Sequence, residues 1–284
     1  MGYLPITHAA PLFLNQHIHG GVHEGYEIEL VKFGSWSDLM DALNAGRIDG
    51  ASVLIQLAMK AMEKEIDLSA IALGHQDGNV LISSKGVDSL QDIKGETFAI
   101  PHTYSTHHLL LQELLTIEGM DDEDIHMIEL PPAEMPVALS EERIEGYVVA
   151  EPFGAMGLQL DIGDVLAFSK DFWPDSYCCV LVLRDDFINK NMEITEDFVA
   201  NYVEAGERAN EKSTELYAAL KNYMKVEDET LEISLEWISF DDLMIEKAEY
   251  DKIYDRVKTY ELMDDPPTYG ELIDNRFIDR AKSK

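Results

Sequence analysis

A stretch of the chain occurs twice, and that duplication limits the folds open to it. Residues 34–56 contain Ala42-Leu43 followed by Arg47-Ile48-Asp49-Gly50, and residues 133–149 contain Ala138-Leu139 followed by Arg143-Ile144-Glu145-Gly146, a spacing of 96 residues (143 − 47). In both copies apolar residues at helical spacing, Leu39, Ala42 and Leu43 or Met135, Ala138 and Leu139, predict a short amphipathic helix. A Gly-containing turn and a small apolar run then predict a buried parallel strand. Such a helix carries the chain back so that the strand can join a parallel sheet. Two copies therefore predict two similar α/β units. Ligands of open α/β sheets sit beyond the carboxyl ends of the strands, which points to Gln56 in one unit and Glu151-Pro152-Phe153-Gly154 in the other.

Other segments extend the same alternation. Gly2-Tyr3-Leu4-Pro5 reads as a first strand, with Thr7 as a cap of the helix that follows, and Tyr26 to Val31 alternates as a strand does. Ser35-Trp36-Ser37 caps the first repeat helix, and Ile66 to Leu73 forms a strand that leads into Gly74-His75-Gln76. The strand Thr97 to Ile100 runs into Pro101-His102-Thr103-Tyr104-Ser105-Thr106-His107-His108. There Ser105 or Thr106 caps a helix, and hydroxyls, imidazoles and free backbone N–H groups converge, the strongest site-like stretch of the chain. Trp173 and Tyr177 precede Cys178 to Leu183, an apolar run that reads as a buried strand, and the remaining hundred residues read as mostly helical and acidic.

Composition narrows the function. With 284 residues, 46% of them hydrophobic, the chain can build real cores, and no apolar run is long enough to span a bilayer. A formal charge of −33 argues against nucleic acid or an anionic membrane as partner, because both need a basic patch. Cys178 and Cys179 are the two cysteines, and side chains of adjacent strand residues point to opposite faces, so they are poor disulfide partners and read as inert packing. No Cys or carboxylate completes a zinc pattern around His17, His19 and His23, so no metal and no cofactor is expected and a solvated surface accounts for most of the histidines. No leader-like segment precedes Tyr3. The expected location is extracytoplasmic, in the periplasm or at the cell surface, if a leader was removed, and cytoplasmic otherwise.

The order of Pro5-Ile6-Thr7-His8-Ala9-Ala10-Pro11, the Arg-Ile-Asp-Gly segment, Ser105-Thr106, Ala150-Glu151-Pro152-Phe153 and Cys178 to Leu183 resembles the substrate-binding proteins of the nitrate, sulfonate, taurine and bicarbonate ABC importers, which also include thiamine-pyrimidine-precursor binders. The likeness covers Gly2 to about Leu183 well and the helical tail loosely. It implies a type II periplasmic-binding-protein fold, two α/β lobes with a ligand cleft between them, residues 1–87 with 178–284 forming one lobe and 88–177 the other. It implies capture of a small oxyanion or heterocycle without chemical change, by a monomer that delivers to an ABC permease. Candidate ligand-binding residues are Thr7, His8, Ser35, Trp36, Gln56, His75, His102, Thr103, Tyr104, Ser105, Thr106, Glu151 and Trp173. The candidate loops hold no basic residue of the kind expected of nitrate binders. The alternative is an enzyme on the same fold, similar to pyrimidine synthases or menaquinone-pathway enzymes, with His8 or His102 as the base. The pyrimidine synthases carry a longer cysteine segment than Cys178-Cys179.

Overall fold

In the computed structural model, which describes residues 1–283, the duplicated stretch builds matching pieces of two sheets. The first unit holds β1 (Gly2–Tyr3), α1 (Ala10–His19), β2 (Val31–Lys32), α2 (Trp36–Asn44), β3 (Gly50–Leu54), α3 (Ile55–Glu63) and β4 (Leu68–Leu73). The second holds β5 (Asn79–Ser83), β6 (Thr97–Ile100), α4 (Thr106–Ile117), β7 (His126–Glu129), α5 (Met135–Ser140), β8 (Gly146–Ala150), α6 (Phe153–Gln159) and β9 (Asp164–Phe168). Then β10 (Cys179–Arg184) leads into the helical tail, which includes α7 (Met192–Asn210), α8 (Thr214–Tyr223), α9 (Asp228–Glu236) and α10 (Lys247–Thr259).

The sheet orders are β2-β1-β3-β10-β4 and β7-β6-β8-β5-β9. In each sheet the fourth strand is antiparallel to both neighbours, β10 in the first and β5 in the second. The repeat strands β3 and β8 hold the same central place, are buried at every residue, and lie directly against the reversed strand. Each reversed strand has crossed over from the other unit. The chain passes between β4 and β5 and again between β9 and β10, so two segments, 74–78 and 169–178, join the lobes.

This corrects one expected boundary. Residues 79–87 were assigned to the first lobe, yet β5 pairs with β8 and β9, so its hydrogen bonds place it in the second sheet. A second correction concerns Tyr26 to Val31, expected as one strand. Tyr26–Glu27 pairs with Val22–His23 around Gly25, which has φ 92°, and only Val31–Lys32 joins the sheet. The Gly-permitted turn diverts the pattern into a small hairpin.

The helical tail belongs to both lobes. α7 and α8 pack on α1, α9 packs on α6, and α10 reaches α4. There the Arg256 guanidinium lies 3.9 Å from the centre of the Trp173 ring and donates to Glu113 at 2.9 Å. Cation–π and ionic attraction thus tie the tail to the second lobe.

Candidate ligand site between the lobes

Strand ends and crossing segments meet between the two sheets, and the residues they bring there are polar and buried. Thr7, expected as a helix cap, makes no capping bond; its backbone N–H and hydroxyl both donate to the Glu151 carbonyl oxygen, at 2.8 and 3.1 Å. It is a link between lobes. A second link joins Gln56, at the start of α3, to Thr106, at the start of α4. The Gln56 amide donates to the Thr106 hydroxyl at 2.8 Å, and that hydroxyl donates to the Tyr177 carbonyl at 2.8 Å. Ser105 caps α4 as expected, accepting from the His108 N–H at 3.0 Å while donating to the His102 carbonyl at 2.6 Å.

Four of the nine histidines are buried, the site candidates His8 and His75 together with His107 and His108. The His8 and His75 ring centres are 3.5 Å apart, and the His107 ring lies parallel to His8 at 6.3 Å, tilted by 7°. His8 and His75 each engage a backbone carbonyl, Nε2 of His8 with Gly78 at 3.1 Å and Nδ1 of His75 with Asp77 at 2.9 Å. A carbonyl only accepts, so each of these nitrogens carries the proton and the other ring nitrogen keeps its lone pair. Cys179 Sγ stands 3.6 Å from His8 Nδ1 and 4.0 Å from Cys178 Sγ. The two thiols converge because Cys178 precedes β10 and escapes the strand alternation, which corrects the expectation of opposite faces. Both are free and buried.

Burial dominates the electrostatics here. It pushes His75 and His107 down to about 4, with a further push from neighbouring His8, so both are neutral at physiological pH. Burial also raises Glu151 to about 7, against hydrogen bonds from Ser234 and the backbone that oppose it. Several buried polar atoms have no hydrogen-bond partner within the protein: both ring nitrogens of His107, both amide atoms of Asn79, Ser176 Oγ and Glu151 Oε1. Such atoms are costly unless something else satisfies them.

The remaining candidates lie apart from this cluster. Ser35, Trp36 and His102 line a cavity of about 170 Å³ with Glu129. His102 and Tyr104 line a neighbouring one of about 260 Å³, where Lys60 sits 4.9 Å from the centre of the Tyr104 ring. Thr103 is taken up by Glu129, which accepts from both its N–H and its hydroxyl. Trp173 has its face covered by Arg256. Cys178, Cys179 and His107 were missing from the sequence candidates; their position just before a reversed strand and beside the Ser105 cap was the available signal.

Residues 1–220 match the NMT1-like family. A solved ligand-binding component of an ABC-type import system from Staphylococcus aureus, with zinc bound, is 42% identical, with 99% of this chain and 97% of that chain covered and a TM-score of 0.93. The periplasmic nitrate-binding protein NrtA of Synechocystis PCC 6803 shares the fold at 17% identity, TM-score 0.86, over 99% of this chain and 87% of that one. The nitrate import ATP-binding protein NrtC of Synechocystis sp. is 28% identical over 211 residues, 67% of this chain and 32% of its own length. The chain thus spans about a third of the length of such curated relatives. The two-lobed α/β architecture is the periplasmic-binding-protein fold of these neighbours.

Proposed function

This chain belongs to the NMT1-like family, and from that premise we propose that it is the solute-binding component of an ABC importer, capturing a small nutrient between its lobes without chemical change. The observation that carries this reading is the set of buried polar atoms without partners at the lobe junction, His107, Asn79 and Ser176 among them. A solute seated there satisfies them. The two links Thr7–Glu151 and Gln56–Thr106 hold the lobes together over that point, as hinge closure around a ligand requires. The hydrogen-bond partners of the site residues are hydroxyls, imidazoles, amides and carbonyls, with neither Lys nor Arg among them. Those partners offer a bare oxyanion no fixed positive charge. The zinc carried by the Staphylococcus relative supports including cations among the candidates.

The partners follow from the same reading: a permease and its ATPase receive the solute from a monomeric receptor that works outside the cytoplasm. No described helix is long and apolar enough to cross a membrane. The test is thermal melting against nitrate, bicarbonate, taurine, alkanesulfonates, aminopyrimidines, thiamine and zinc. A ligand at 100 times its Kd stabilises the folded state by about 2.7 kcal/mol. One compound should raise the melting temperature clearly and be recovered unchanged. Consumption of that compound would overturn the receptor reading in favour of an enzyme.

A further inference from the structure

We propose that His8, His75, Cys178 and Cys179 form a binding site for a thiophilic transition-metal ion, with zinc as the reference ion. One donor atom from each residue lies within 4.8 Å of all the others, and all four side chains are buried. Two imidazoles and two thiols are a tetrahedral zinc donor set, in which metal–ligand bonds of about 2.0–2.3 Å place neighbouring donors about 3.3–3.8 Å apart. The Cys179 Sγ to His8 Nδ1 distance of 3.6 Å falls inside that range, and the Cys178 Sγ to Cys179 Sγ distance of 4.0 Å lies just outside it. Small side-chain rotations close the difference.

The outer contacts argue for the same use. A metal-ligating histidine donates its other N–H to a carbonyl or carboxylate, which fixes the ring and its tautomer. His8 does this through Nε2 to Gly78 and His75 through Nδ1 to Asp77, at 3.1 and 2.9 Å, so Nδ1 of His8 and Nε2 of His75 are the nitrogens on the thiol side; Nε2 of His75 accepts from the Cys179 N–H at 3.3 Å, a bond that an ion would replace. Hard cations such as calcium or magnesium are excluded by the absence of oxygen donors from the set. His107 comes from the second lobe, is fully buried, has neither ring nitrogen partnered, and lies parallel to His8. It closes over the four donors, so occupancy by the ion and closure of the lobes favour each other. This names the cargo class of the pocket and, in the role of cargo only, rests on the receptor reading.

The experiment is equilibrium dialysis of chelator-treated full-length protein against zinc, with cobalt(II) absorption as a second readout. One equivalent of zinc should bind tightly, and cobalt(II) should show thiolate charge-transfer and tetrahedral d–d bands. His75→Ala and Cys179→Ser should each weaken binding by about 100-fold or more, beyond the loss seen when an outer partner is removed. His126→Ala, on an exposed imidazole of β7, should bind as the unaltered protein does. If a variant fails to fold, the cobalt(II) thiolate bands of the unaltered protein should still appear and be lost when zinc displaces the cobalt. Equal binding by the ligand variants, or cobalt(II) bound without thiolate bands, would overturn the assignment and mark an adventitious ion on surface carboxylates. Zinc bound at these residues without lobe closure supports the site while removing its role as cargo. An organic solute that binds this pocket in a protein indifferent to zinc overturns the site and leaves the receptor reading standing.

Discussion

Replacing Gly50 or Gly146 by Ala lowers the unfolding free energy by about 3 kcal/mol, the upper end of the usual cost of overpacking a core. A Cβ on Gly50 would stand 2.4 Å from the Val182 carbonyl oxygen, and one on Gly146 2.7 Å from that of Ile82 and 2.4 Å from Cε2 of Phe98. Val182 and Ile82 belong to the two reversed strands, which pair with β3 and β8 in the same way. The glycine that ends each Arg-Ile-Asp/Glu-Gly segment is therefore needed for the close approach of a strand arriving from the other lobe. Backbone oxygens in a sheet cannot step aside as a flexible side chain can. Gly34→Ala is the control, since a Cβ there meets nothing within 4 Å. Urea unfolding of the three variants tests this, and losses at Gly50 and Gly146 no larger than that at Gly34 would refute it.

Glu151→Gln should remove a pH-dependent weakness. Burial raises this carboxyl to about 7 from an ordinary 4.5. Between those values the unfolded chain has released the proton while the folded chain still holds it, so folding stability contributed by this group falls as pH rises from about 4.5 to 7. Above pH 7 the folded state bears the full cost of a buried carboxylate, about 3 kcal/mol at 1.36 kcal/mol per pKa unit. Glutamine stays neutral and can keep the contacts to Ser234 Oγ and the Ala155 N–H, which lie at 2.7 and 3.1 Å. The variant should match the parent at pH 4 and exceed it by about 3 kcal/mol at pH 8. Denaturant titrations of both proteins across that range would contradict the assignment if their difference stayed constant.

What could be read from the sequence was whatever is local. The duplicated helix, turn and strand appear where expected because each depends on neighbours within a few residues, and their 96-residue spacing carries through to β3 and β8 (146 − 50). Ser35 and Ser105 cap their helices for the same reason. Non-local pairing was less accessible. β5 looks like a continuation of the first unit, and only its hydrogen bonds to β8 and β9 reveal the crossing. The cluster of His8, His75, Cys178 and Cys179 joins residues up to 171 positions apart. No spacing rule connects them, because the two crossings, rather than a motif, bring them together. Thr7 shows the limit from the other side: its type and place suit a helix cap, yet the Glu151 carbonyl from the second lobe takes its hydroxyl.

The central claim is that two lobes close over a solute at this junction. Small-angle X-ray scattering of the purified protein, with and without the compound that raises its melting temperature, tests it most directly. The account predicts a smaller radius of gyration in the presence of the compound, as hinge closure brings Thr7 to Glu151 and Gln56 to Thr106. An unchanged radius, with the compound bound, would contradict closure and place the solute outside the inter-lobe site.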